Sequence, residues 1–165
     1  MRMRKFVEAV MAYTKSKKFI ILGHSMGVSI ARRIIQGGDA IDHVAGTYNV
    51  GASLSDKVSL FVGMAGANLG LNACIGGDAI PTCGTKDGFY PGLLPTSGPS
   101  TYLKSLNTGA KEGSKVYSVW SKNDDLIGTG CVVWGKITSQ IPNEDGQVTK
   151  PGFEWTHFKA GVNPG

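Results

Sequence analysis

The chain has 165 residues, 41% of them hydrophobic, and a formal net charge of +5. That length predicts a single domain spanning residues 1–165 with a sizeable core, and no run approaches the roughly 18 apolar residues that a membrane span requires. The surplus basic residues fall at the edges of expected helices without interleaved aromatic residues, which argues against nucleic acid as a partner and leaves room for a mild attraction to anionic lipid surfaces.

Met3, Phe6, Val7, Val10, Met11 and Thr14 trace one stripe at helical spacing, with Lys5, Glu8, Lys15 and Lys17 opposite, which predicts an amphipathic helix. The apolar run Phe19–Leu22 then reads as a buried strand. It leads directly into Gly23-His24-Ser25-Met26-Gly27, a Gly-x-Ser-x-Gly turn of the kind that presents a serine nucleophile on a sharp strand-to-helix bend. Such a bend forces the serine toward unfavourable φ/ψ, and Gly23 and Gly27 are expected to let strand and helix approach. Val28, Ile30, Ala31, Ile34 and Ile35 recur at helical spacing after it, with Arg32 and Arg33 expected to turn outward and Gly37-Gly38 to stop the helix.

Val58–Met64 predicts a second strand, followed by Ala65-Gly-Ala-Asn-Leu-Gly70. Residues 74–99 show neither helical nor strand period. Within them Cys74 and Cys83 are expected to form a disulfide in an oxidising compartment, with two buried free thiols as the alternative, and the lack of nearby histidines disfavours a metal site. Cys131 is left over, an odd thiol that suggests a partner outside this sequence. In Gly88–Pro95 the side chains of Phe89, Tyr90, Leu93 and Leu94 either contact an acyl chain or lipid surface, or fold back on the core. Thr101–Thr108 predicts a short helix and Lys115–Trp120 a third strand, which ends at the polar loop Ser121-Lys-Asn-Asp-Asp-Leu126. This alternation predicts a parallel sheet covered by helices, with function at the C-terminal ends of the strands.

A serine hydroxyl becomes nucleophilic when a base takes its proton, and the base in turn needs a carboxylate to fix its tautomer. Three histidines are available. His24 sits inside the turn, pointing away from Ser25, and His43 precedes any acidic strand-end loop. His157 stands alone in following nucleophile and acid in the required order, which makes it the candidate base. The acid is Asp124 or Asp125, at the end of the third strand. The backbone N–H of Met26, directly after the nucleophile, is the candidate oxyanion donor.

Four segments together resemble the class 2 lipases: Gly23-His-Ser-Met-Gly27 with its Ala-Arg helix, Gly63-Met-Ala-Gly-Ala-Asn-Leu-Gly70, Ser118-Val-Trp-Ser-Lys-Asn-Asp-Asp-Leu-Ile-Gly128, and Cys131-Val-Val-Trp-Gly135. The resemblance implies an α/β-hydrolase-like three-layer sandwich with a mostly parallel sheet, extracellular location and no cofactor. It implies Ser25 as nucleophile, Asp124 as acid and His157 as base, acting on a triacylglycerol or another carboxylic ester through an acyl-enzyme. It also implies a preceding strand and His-Gly loop carrying a second oxyanion donor, and neither stands before Met1. The sheet is therefore expected with its N-terminal strands missing, an unpaired edge and marginal stability. The competing reading is a non-catalytic, fragmentary hydrolase-like binding protein without a complete oxyanion hole.

Overall fold

The computed structural model describes residues 2–127 and 131–150; His157 and residues 128–130 lie outside them. Helix α1 (Arg2–Thr14) leads through a lysine-rich link to strand β1 (Phe19–His24), which runs into helix α2 (Met26–Gln36). A short antiparallel hairpin follows, β2 (Asp39–Asp42) with β3 (Gly46–Asn49). Strand β4 (Val58–Met64), helix α3 (Thr101–Asn107), strand β5 (Val116–Ser121), the small hairpin β6 (Val132–Val133) with β7 (Lys136–Ile137), and strand β8 (Gly146–Lys150) complete the described chain.

The central sheet has the order β1-β4-β5-β8, and every pair in it is parallel. A four-stranded parallel sheet with helices alternating in sequence is the expected α/β-hydrolase-like architecture. Phe19 and Ile21 of β1 turn toward α2, where Val28, Ala31 and Ile35 pack on Val58, Phe61, Val116 and Ile141. Burying each of the larger side chains, Val28, Ile35, Val58, Phe61, Val116 and Ile141, contributes about 1.5–3 kcal/mol, so this cluster is the main attachment of α2 to the sheet. On the opposite side of β1, Ile20 and Leu22 are 59% and 65% exposed. Among the described residues β1 pairs with β4 alone and lies at one end of the sheet order.

Two further elements escape the hydrophobic pattern. Strand β8 carries Val148 as its one apolar side chain and owes its conformation to backbone pairing with Tyr117–Ser121 of β5. The β6–β7 hairpin turns at Trp134-Gly135, with φ of 50° and 75°; positive φ at both central positions matches the right-handed strand twist of a two-residue hairpin.

Arg32 and Arg33 do not turn outward, contrary to the expectation from their spacing. The sheet covers one side of α2, and α3 with neighbouring loops covers the side that carries Arg32, so Arg32 is only 1% exposed. Its Nε donates to Glu112 Oε1 at 2.7 Å, its Nη1 to Asn68 Oδ1 at 2.9 Å and Asn107 Oδ1 at 2.8 Å, and its Nη2 to the Leu106 carbonyl at 3.0 Å. Gln36 adds a bond to the same Glu112 oxygen at 2.8 Å. Arg33 donates to the Gly37 carbonyl and to Ser105, and its guanidinium lies over the Tyr102 ring. Burial holds its pKa below the usual guanidinium range.

The irregular region 74–99 is organised by a second cluster in which Cys74, Cys83, Phe89, Leu103 and Leu106 pack with Ala67. The expected disulfide is present: Cys74 and Cys83 are bonded, with Cα atoms 4.8 Å apart. Cys131 is a free buried thiol, packed with Ala65, Trp120 and Ile127.

Truncating one member of a buried ion pair leaves the other charged and unpaired. Glu112→Ala should therefore lower the unfolding free energy by about 3–5 kcal/mol in denaturant titrations, and the double variant Arg32→Met/Glu112→Leu should lose much less than the sum of its parts.

Candidate functional site

Ser25 stands where β1 hands over to α2, with φ 55° and ψ −130°, in a left-handed region that L side chains rarely occupy. Three constraints hold it there. Its amide donates to the Met64 carbonyl at 2.9 Å, extending the β1–β4 ladder by one residue. Its own carbonyl accepts from the Val28 amide at 3.0 Å, closing the first turn of the helix. Gly23 supplies the close approach, since a Cβ at that position would lie 3.0 Å from Val28 Cα.

The second glycine of the motif differs from expectation: a side chain at Gly27 would meet nothing within 4 Å, so packing does not demand glycine there. The close approach comes instead from two glycines of β4 and its following loop. Cβ atoms at Gly63 and Gly66 would sit 3.0 Å and 2.9 Å from Val28 Cγ1, and the one at Gly63 would also crowd Ile141. Sequence pattern alone gave no sign that the tight seam lies between α2 and β4.

Asp124 and Asp125 part company in the folded chain. Asp124 is 2% exposed, whereas Asp125 is exposed. Asp124 Oδ1 accepts from the amides of Leu126 at 3.0 Å and Ile127 at 2.8 Å, which fixes the carboxylate just beyond the end of β5. Because β1, β4 and β5 are parallel neighbours, Ser25 and Asp124 both emerge at the C-terminal edge of the sheet. Strand β8 also runs parallel and pairs Lys150 with Ser121, so the chain leaves β8 at that same edge, seven positions before His157.

The other two histidines are placed elsewhere. His24 is the last residue of β1, opposite Met64 of β4. His43 lies in the turn between β2 and β3, with Nδ1 3.3 Å from Asp87 Oδ2.

A cavity of ≈ 140 Å³ opens at Ser25, lined by Met26, Ala67, Leu71, Phe89 and Ile127 among others. Its lining is almost wholly apolar. Met26 opens α2, and the first amides of a helix lack intrahelical acceptors, so its N–H belongs to a terminus suited to negative charge. In the loop Gly88–Pro95, Phe89 folds back on the core at the cavity wall, whereas Leu93 and Leu94 are exposed. Ala67, Leu71 and Ile127 were not legible as cavity residues. The one available signal was their place directly after strand ends, next to the glycine-rich segment 63–70 and to Asp124.

Cys131 lies beneath this site, with Sγ 3.5 Å from the Ser121 carbonyl. Burial pushes its pKa up to about 11, with the neighbouring Asp124 carboxylate acting in the same direction and Ser139 partly offsetting both. Thiolate is the reactive form, so the folded protein should resist iodoacetamide at pH 8 and become alkylated once unfolded, as mass spectrometry would read. The folded state also holds this proton more tightly than an unfolded thiol of pKa 9.0 does. Stability should fall as pH rises from about 9 to 11, through this group alone.

Among the described residues no helix is long and apolar enough to cross a membrane. No curated protein matches the chain significantly. The family model described as Lipase (class 2) matches residues 1–162, nearly the whole length, and the chain therefore belongs to the class 2 lipase family.

Proposed function

We propose that the chain hydrolyses carboxylic esters through a covalent acyl-enzyme, with Ser25 as nucleophile, His157 as general base and acid, and Asp124 as the carboxylate that orients the imidazole. The observation that carries this reading is the backbone of Ser25. A non-glycine residue with φ 55° at the end of a parallel strand, held by the ladder on one side and a helix on the other, puts Ser25 on the wall of an apolar cavity. Membership of a lipase family supplies the reaction class.

In this mechanism His157 accepts the Ser25 proton as Oγ attacks the ester carbonyl. The oxyanion of the tetrahedral intermediate is met by the Met26 amide and by the positive end of α2. Collapse expels the alcohol, protonated by His157, and leaves Ser25 acylated; water, activated by the same imidazole, then releases the carboxylic acid. Asp124 suits the orienting role better than Asp125 does, because it is buried and its carboxylate is fixed by two backbone amides. Lipid breakdown outside the cell is the setting we propose, supported by the family and by the Cys74–Cys83 disulfide.

A fluorophosphonate probe tests the reading directly. Stoichiometric labelling of Ser25 is expected, abolished in Ser25→Ala. In His157→Ala and Asp124→Asn ester turnover should fall by about 10³-fold or more, while Asp125→Asn should change it little. A folded wild-type chain that stays unlabelled would favour the non-catalytic binding protein instead.

A further inference from the structure

Two cavities meet at the elbow. The one that holds Ser25 has a volume of ≈ 140 Å³. A second, of ≈ 470 Å³, lies among α1, α2 and the β2–β3 hairpin, and is lined by Ile30, Ile34 and Tyr102 together with the charged side chains of Arg2, Arg33 and Asp87, among others. Met26 and Phe89 line both.

Sites for small organic ligands usually span about 300–1,000 Å³, so the larger cavity is of ordinary ligand size and the smaller one is not. The Ser25 cavity falls well below that range, a size suited to a short acyl chain. The two shared walls are not equivalent. Met26 is more than half exposed and so screens one cavity from the other only in part. Phe89 is buried against Leu103, Leu106 and the disulfide, and its backbone is pinned on both sides: its amide donates to the Thr82 carbonyl at 2.7 Å, and its carbonyl accepts from the Leu71 amide at 2.9 Å.

We propose that the Phe89 ring is the partition that limits the acyl group at Ser25 to a short chain, by separating this apolar site from the larger, partly polar space behind it. The preferred substrates are then esters of short-chain acids. Phe89 acts here as a specificity-determining residue, through the volume it fills. This inference rests on the ester-hydrolase reading, and it adds a substrate class to that reading.

The test is a chain-length series of p-nitrophenyl esters, from acetate to dodecanoate, on the full chain, with fluorophosphonate labelling of Ser25 run in parallel. Wild type should prefer butyrate to hexanoate and discriminate against decanoate by about tenfold or more in kcat/KM. Phe89→Ala should move the optimum to octanoate or beyond. Because that change also removes core volume, Phe89→Leu is included as a milder opening that should shift the optimum part of the way. Leu126→Trp adds an independent arm: residue 126 is exposed and lines the small cavity, so the variant should fold and narrow the preference toward acetate. Labelled, folded Phe89 variants with an unmoved profile, or a wild type that prefers decanoate, would overturn the partition while leaving the hydrolase intact. A wild type with no labelling at Ser25 would overturn both.

Discussion

A single buried guanidinium holds the working end of this molecule together. Arg32 reaches from α2 to Glu112, to Asn68 after β4, and to Asn107 and Leu106 of α3, so one side chain ties together the elbow helix, a strand-end loop and the helix that backs the cavity. Charge of this kind is costly to bury unless its donors are met, and the planar fork of arginine lets several acceptors be met at fixed angles. Asn68 extends the same network, since its amide donates to the Thr138 carbonyl at 2.7 Å and its Nδ2 to the Ser139 carbonyl at 3.2 Å. The loop that carries Ala67 and Leu71 into the cavity is thus fixed by polar contacts on its far side.

The elbow depends on that scaffold. A serine in the left-handed region costs free energy of order 1–3 kcal/mol, which must be offset by surrounding structure. Here the offset comes from the β1–β4 ladder, from the apolar seam of Val28, Phe61 and Ile141, and from the glycines that let the seam close. Strain at Ser25 and polar rigidity around Arg32 are two sides of one arrangement: the backbone at the bend is over-determined by the structure around it.

The parts of the fold that announced themselves were those with strong local chemistry. The strand β1, the Gly-x-Ser-x-Gly bend, the strand β4 with its run of apolar residues, the short helix α3 and the Cys74–Cys83 pair could each be read from a few adjacent residues. What misled was the outward assignment of Arg32 and Arg33. Helical spacing tells which residues share a face, and by hydrophobicity the arginine face should be wet; only the packing of α3 and Glu112 against it makes it dry. Strand β8 and the two hairpins were missed for the complementary reason, since their conformation comes from partners and turn geometry, with little apolar alternation to signal it.

The sequence by itself determined the succession of strand, sharp bend and helix that carries Ser25, because all three are encoded within about twenty contiguous residues. The burial of Asp124 beside an exposed Asp125, the placing of His43 against Asp87, the burial of Cys131 and the walls of the cavity were decided by tertiary structure. Each depends on which distant segments come to lie side by side. Adjacent acids have the same local propensities, and only the fold buries one beneath two amides while leaving its neighbour in water.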